Sequence, residues 1–183
     1  MKLRCADRIL DLSSPQVMGV LNVTPDSFSD GGDYASLDAA LFRAQEMVSQ
    51  GVAIIDVGGE STRPGAATVA LQQELDRVVP LIECIASQLD ICISVDSSRP
   101  EVMLAAQAAG AHLINDVRAL QRHGAISAAQ RARLPVCLMH MQGEPDTMQL
   151  DPSYDHMLND VHSFLEARIQ ACIDGGIPGD QIL

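Results

Sequence analysis

The sequence contains no tryptophan and only five aromatic residues of the Phe and Tyr types, so its core must be built from Val, Ile, Leu, Ala and Met. Lysine is nearly absent: of the twelve basic residues eleven are arginine, and the single lysine is Lys2 at the N-terminus. A phosphate-binding loop of the Walker type and a Schiff-base lysine both need an internal lysine, and both are excluded for these residues. Positive charge is also scarce overall. Twenty-four acidic side chains give a formal charge of −12 and a pI near 4.6. That balance repels polyanions, which argues against binding to nucleic acid or to an anionic membrane. No apolar run approaches the ~18 residues of a membrane span, and Met-Lys-Leu-Arg-Cys-Ala-Asp-Arg8 has no apolar signal core. The cysteines, Cys5, Cys84, Cys92, Cys137 and Cys172, are odd in number and never spaced Cys-x-x-Cys. They read as reduced thiols that fill space in a soluble, cytoplasmic protein.

What is present, over 183 residues, suits one domain with a sizeable core. Short apolar runs rich in β-branched residues occur at Val17–Leu21, Ala53–Val57, Ile91–Val95, His112–Ile114 and Pro135–Met139. Runs of that kind suit parallel strands buried on both faces. Helical patterns separate them. Leu37, Ala40, Leu41, Ala44, Met47 and Val48 share a face, with Ser36 as candidate N-cap and Gly51 as the stop. Leu71, Leu75, Val78, Val79, Ile82 and Ile85 form a second stripe, with a kink expected at Pro80. Ser98-Arg-Pro-Glu101 reads as a capping box opening a third helix that Gly110 closes. A shorter helix is expected over 125–133, and a long one from Met157 to Cys172, ended by Gly175-Gly176. Serial β/α units indicate a parallel α/β protein, either an open doubly wound sheet or a (β/α)8 barrel. A further apolar run begins at Gln181-Ile-Leu183, where a sixth strand would start. A barrel takes roughly 250 residues, so the chain is either an unusually short fold or about two thirds of a barrel.

Each apolar run ends in a polar residue: Asn22, Asp56, Asp96, Asn115-Asp116 and His140. Turns alone favour Asp and Asn, but five of five points to a shared site at the carboxyl ends of the strands. Two long polar loops follow the first two strands. Val23–Tyr34 carries an aromatic, Phe28, and Ser61–Ala67 carries Arg63 among small residues. Such loops often serve as lids, and a guanidinium there suits an anionic substrate, although Phe28 packed on the fold and Arg63 paired with Glu60 are the plainer alternatives. There is no His-x-x-x-His pair and no cysteine at zinc spacing beside a histidine, the EF-hand-like Asp26–Gly31 has Phe28 at its third ligand position and lacks its later glutamate, and no nucleophile elbow occurs.

Two long motifs, Met18-Gly-Val-Leu-Asn-Val-Thr-Pro-Asp-Ser-Phe-Ser-Asp-Gly-Gly32 and Ile55-Asp-Val-Gly-Gly-Glu-Ser-Thr-Arg-Pro-Gly65, resemble signatures of the bacterial dihydropteroate synthase family. Ser94–Glu101, Ile114-Asn-Asp-Val117 and Leu138-Met-His-Met-Gln142 resemble its third, fourth and fifth strand motifs, in order. The resemblance runs from about residue 17 to Leu183. It implies a pterin-binding (β/α)8 barrel of folate biosynthesis, with the first five β/α units and the start of the sixth strand within this one domain, residues 1–183. The implied reaction condenses 6-hydroxymethyl-7,8-dihydropterin diphosphate with 4-aminobenzoate to give 7,8-dihydropteroate and pyrophosphate. By the resemblance, Asn22 is a ligand of Mg²⁺, Asp96 and Asn115 contact the pterin, and Thr62 and Arg63 belong to a mobile substrate loop. Asp96 and Arg63 are the expected catalytic residues, and Phe28 and Pro64 shape the aminobenzoate pocket, the target of sulfonamides. The family's later motifs, an aspartate on strand six, Ser-Arg-Lys on strand seven and Arg-x-His on strand eight, are not among these residues. Full activity and the family's homodimer are therefore not expected of the 183 residues alone, whose open edge would leave them poorly soluble or partly molten. A non-catalytic pterin-binding fragment and a methyltetrahydrofolate-dependent methyltransferase are the competing readings.

Overall fold

The computed structural model describes residues 2–23, 32–60 and 69–183, with side chains from residue 37 in the second stretch. An antiparallel hairpin, β1 (Lys2–Cys5) and β2 (Arg8–Asp11), precedes the main sheet. That sheet contains β3 (Met18–Asn22), β4 (Ile54–Gly58), β5 (Cys92–Asp96), β6 (Leu113–Asp116) and β7 (Val136–Leu138), all parallel. The intervening helices are α1 (Gly32–Ser49), α2 (Leu71–Gln88), α3 (Pro100–Ala109) and α4 (Ala125–Ala132), with α5 (Met157–Asp174) after β7.

Strand order in the sheet equals strand order in the chain, β3-β4-β5-β6-β7. A doubly wound sheet must reverse its order at a switch point, whereas a barrel adds each strand beside the last. The barrel is the observed alternative. The sequence continues: Ile182 bridges Val136 in parallel, Leu183 N–H donates to Val136 O at 2.8 Å, and Leu138 N–H donates to Leu183 O at 2.9 Å. The last residues thus occupy the sixth strand position of a (β/α)8 fold.

Alternation along the strands sorts the interior into two cores. Ile55, Val57, Ile93, Val95, Ile114 and Val136 turn outward onto Val78, Leu81, Ile82, Ile85, Val102 and Met103 of the helices. Ile54, Cys92 and Leu113 turn the other way and meet Leu3 and Cys5 of the hairpin. The hairpin therefore covers the amino ends of the inner face, and Arg8 fastens it to Asp90 at 2.6 Å. The sequence reading assigned no element to these residues, although Leu3 and Cys5 alternate with exposed neighbours as one face of a strand should.

Several helix ends match expectation. Gly51 and Gly110 adopt left-handed φ values of +92° and +111°, a region that disfavours side chains. Pro100 opens α3 at a position where its missing N–H costs nothing. α2 runs through Pro80, where a kink is expected, and on to Gln88. Two expectations fail. α1 already runs at Gly32, which places Ser36 inside it. The capping box at Ser98 does not form, because the N-cap is Arg99 and the Ser98 hydroxyl is drawn instead to the Asp116 carboxylate. The Ser98 oxygen in turn accepts from Arg118 Nη1 at 3.2 Å rather than from a helix amide.

Candidate functional site

The strand registers align Asn22 with Gly58, Gly58 with Asp96, Asp96 with Asn115 and Asn115 with Cys137. Side chains at matched positions of neighbouring strands share a face, so these residues form one row across the carboxyl end of the inner face. Three expected site residues, Asn22, Asp96 and Asn115, are thereby brought together. Gly58 between them is required by space: a Cβ there would lie 2.7 Å from Asn22 Oδ1 and 3.6 Å from Asp96 Oδ2.

One step below stands a second row, Val20, Asp56 and Ser94. Asp56 lies within β4 rather than at its end and is only 3% exposed. Its Oδ2 accepts a hydrogen bond from Asn115 Nδ2 at 3.0 Å. Among the described residues its Oδ1 and the buried Ser94 hydroxyl make no well-aligned hydrogen bond, although the hydroxyl lies close enough to steady the carboxylate.

This arrangement concentrates negative charge where water is scarce. Asp96 has its pKa pushed up to about 7, first by burial and then by Asp56, Asp116, Glu74 and Glu60. Burial also raises Asp56, against the opposing dipoles of Ser94 and Asn115. The Cys137 thiol is raised by burial and by the charges of Asp56 and Asp96. A carboxyl group poised near neutrality beside a fixed carboxamide offers both donors and acceptors to the edge of a polar heterocycle.

The expected five-way convergence is corrected on two strands. Asn115 and Asp116 are adjacent on β6, so alternation sends them to opposite faces. Asp116 is fully buried away from the row, where Oδ1 accepts from Ser98 Oγ and from Arg118 N–H at 2.9 Å, and Oδ2 accepts from Leu120 N–H at 2.8 Å. It shapes the turn after β6. His140 stacks edge-on against Phe164 at 4.9 Å and lies 5.8 Å from Tyr154.

A third cluster supports the row. Glu74, 1% exposed in the first turn of α2, accepts from Ser97 Oγ at 2.6 Å and pairs with Arg99 Nε at 2.8 Å. Arg99 also donates to Val69 O, and Arg77 donates to Gly59 O at 2.9 Å. The backbone on either side of residues 61–68 is thus gripped by α2 and Arg99. Sequence reasoning missed Glu74, and it counted Asp56 among the strand-end residues of a shared site without giving it a role. The signal for Glu74 was its place on the apolar stripe, three residues after Leu71 and four before Val78. Phe28, Thr62, Arg63 and Pro64 lie outside the described residues. Among the described residues no group of three His, Cys, Asp or Glu is placed to hold a metal, and no helix is long and apolar enough to cross a membrane.

Residues 18–183 match the family described as pterin binding enzyme. The chain is 52% identical over its whole length to dihydropteroate synthase of Escherichia coli, covering 65% of that protein. The Yersinia pestis dihydropteroate synthase in complex with a sulfonamide drug superposes with a TM-score of 0.93 at 54% identity, over 100% of this chain and 66% of that one. The Xanthomonas albilineans dihydropteroate synthase with 4-aminobenzoic acid gives 0.91 at 48% identity, over 99% and 64%. The chain spans about two thirds of the length of these relatives.

Proposed function

The chain belongs to the pterin-binding enzyme family, and from that premise we propose that it forms the pterin-binding part of a dihydropteroate synthase acting in the reducing cytoplasm. In this reading the amine of 4-aminobenzoate forms a bond to the exocyclic methylene of 6-hydroxymethyl-7,8-dihydropterin diphosphate. The methylene C–O bond breaks, pyrophosphate leaves with the electron pair, and the amine gives up one proton. The observation that carries the reading is the row of Asn22, Gly58, Asp96 and Asn115 at the strand ends. Its support is the match to relatives that bind 4-aminobenzoic acid and a sulfonamide drug.

Asp96 and Asn115 would hold the pterin edge, since a buried carboxyl and carboxamide complement its alternating donors and acceptors. If C–O cleavage runs ahead of attack, positive charge grows on the methylene, and the Asp96 carboxylate, the acid of the row, would stabilise it electrostatically. Thr62, Arg63, Phe28 and Pro64 belong to the proposed lids over the aminobenzoate and sulfonamide site. Asn22 fits a role as a Mg²⁺ ligand: it offers a neutral, hard carbonyl oxygen, held over the space that Gly58 leaves empty, with Asp96 Oδ2 facing the same point. Magnesium bound there would neutralise charge on the departing diphosphate.

The test is 4-aminobenzoate-dependent formation of 7,8-dihydropteroate by the chain and its Asp96→Asn variant. The expected loss is roughly 10²-fold in kcat, with pterin diphosphate affinity changed only a few-fold. Equal losses in both would remove Asp96 from the bond-breaking step. Pterin binding without any product from the unaltered chain would mark it as a binding module.

A further inference from the structure

Asp56 has no part in the chemistry above, yet it is among the most buried ionisable groups of the inner face. A carboxylate only accepts hydrogen bonds, so the Asn115 group that meets Asp56 Oδ2 at 3.0 Å must be the amide nitrogen. A carboxamide otherwise turns over readily, because its two ends are nearly equal in size. Among the described residues, Asp56 makes the hydrogen bond that tells the two ends of the Asn115 side chain apart. Asp56 is 3% exposed, burial raises its pKa, and among the described residues its Oδ1 makes no well-aligned hydrogen bond, so the carboxylate is held there at a cost.

We infer that Asp56 is a specificity-determining positioning residue: by holding the Asn115 nitrogen inward, it presents the carbonyl oxygen and the second N–H to the ligand in one fixed order. The inference rests on the pterin reading of the site. Fixed order matters because a pterin and the corresponding pteridine-2,4-dione are nearly isosteric but carry opposite patterns. In a pterin N1 accepts and the 2-amino group donates; in the dione N1–H donates and the 2-oxo group accepts. An amide free to turn over satisfies either pattern. A pinned one satisfies the first and sets like against like in the second, leaving buried groups unpaired.

The experiment compares dissociation constants for 6-hydroxymethylpterin and 6-hydroxymethylpteridine-2,4-dione in the unaltered chain and in Asp56→Asn. An asparagine at 56 serves either end of Asn115, so the preference for the pterin is expected to fall by about tenfold or more. The two side-chain amide protons of Asn115, well separated in a ¹H–¹⁵N spectrum of the unaltered chain, should draw together in the variant. Asp56→Ser carries the same comparison if Asp56→Asn does not fold. An unchanged preference in a folded variant overturns the inference. If the unaltered chain binds neither probe, the pterin reading has failed and the specificity role falls with it.

Discussion

A methyl group at Gly58 would meet Asn22 Oδ1 at 2.7 Å, and the end of the asparagine side chain is what gives way. Gly58→Ala is therefore expected to cost little in folding, about 1 kcal/mol, but to displace the oxygen proposed to face the metal. Thermal melts with magnesium and pyrophosphate should show protection of the unaltered chain and none of the variant; equal protection would remove Asn22 from that role. At this scale the strand-end residues Asn22, Asp96 and Asn115 are legible in the sequence, because a polar residue closing an apolar run is visible in one strand alone. Glu74 is not legible in the same way, and Asp56 is legible as a strand-end residue but not in its role. Their roles depend on which residue of a neighbouring element stands opposite, and register is not written in a single strand. The same blindness ends the apolar runs one residue early. β4 continues through Gly58 and β5 through Asp96, since the site residues themselves belong to the ladder.

Among the elements, the β1–β2 hairpin contributes to the fold out of proportion to its length. Leu3 is 3% exposed and Cys5 fully buried against Ile54, Cys92 and Leu113. Leu3→Ala should destabilise the chain by about 2–4 kcal/mol, as truncation of a buried leucine does when its surroundings cannot collapse. Urea unfolding measures this, and a loss below 1 kcal/mol would mean the hairpin frays from the sheet. The helices were easier to foresee than the hairpin. Stripes such as Val78, Ile82 and Ile85 repeat over several turns, while four-residue strands carry too few positions to establish a period. The missed cap of α3 has a different cause. Ser98 has the right spacing to Glu101, but a carboxylate from β6, far along the chain, claims its hydroxyl.

Across the whole molecule, burial of carboxyl groups makes stability depend on pH in a stated direction. Asp96 is raised to about 7, and Asp56 and Glu74 are raised by burial as well. A folded state with raised carboxyl pKa values keeps protons that the unfolded chain has already lost. Stability is then greatest below the ordinary carboxylate pKa near 4 and declines as pH climbs towards 7. For Asp96 the shift of about three units corresponds to roughly 4 kcal/mol at most. Denaturant midpoints should be lower at pH 8 than at pH 5, with most of the slope gone in Asp96→Asn; a rising midpoint would contradict this. The fold class, too, is decided only at this scale. Serial β/α units are legible in the sequence and fit two architectures, and the strand order separates them.

That order has a consequence for how the chain is made. Synthesis runs from the N-terminus, and each strand from β4 onward emerges beside a neighbour already completed, so the sheet can extend in step with translation. The hairpin is the exception. It emerges before the sheet, but it closes on Ile54, Cys92 and Leu113, residues from three strands made later. Leu3 and Cys5 stay without their final partners until β6 has been synthesised, so a segment that precedes the sheet reaches its place only after most of the sheet exists.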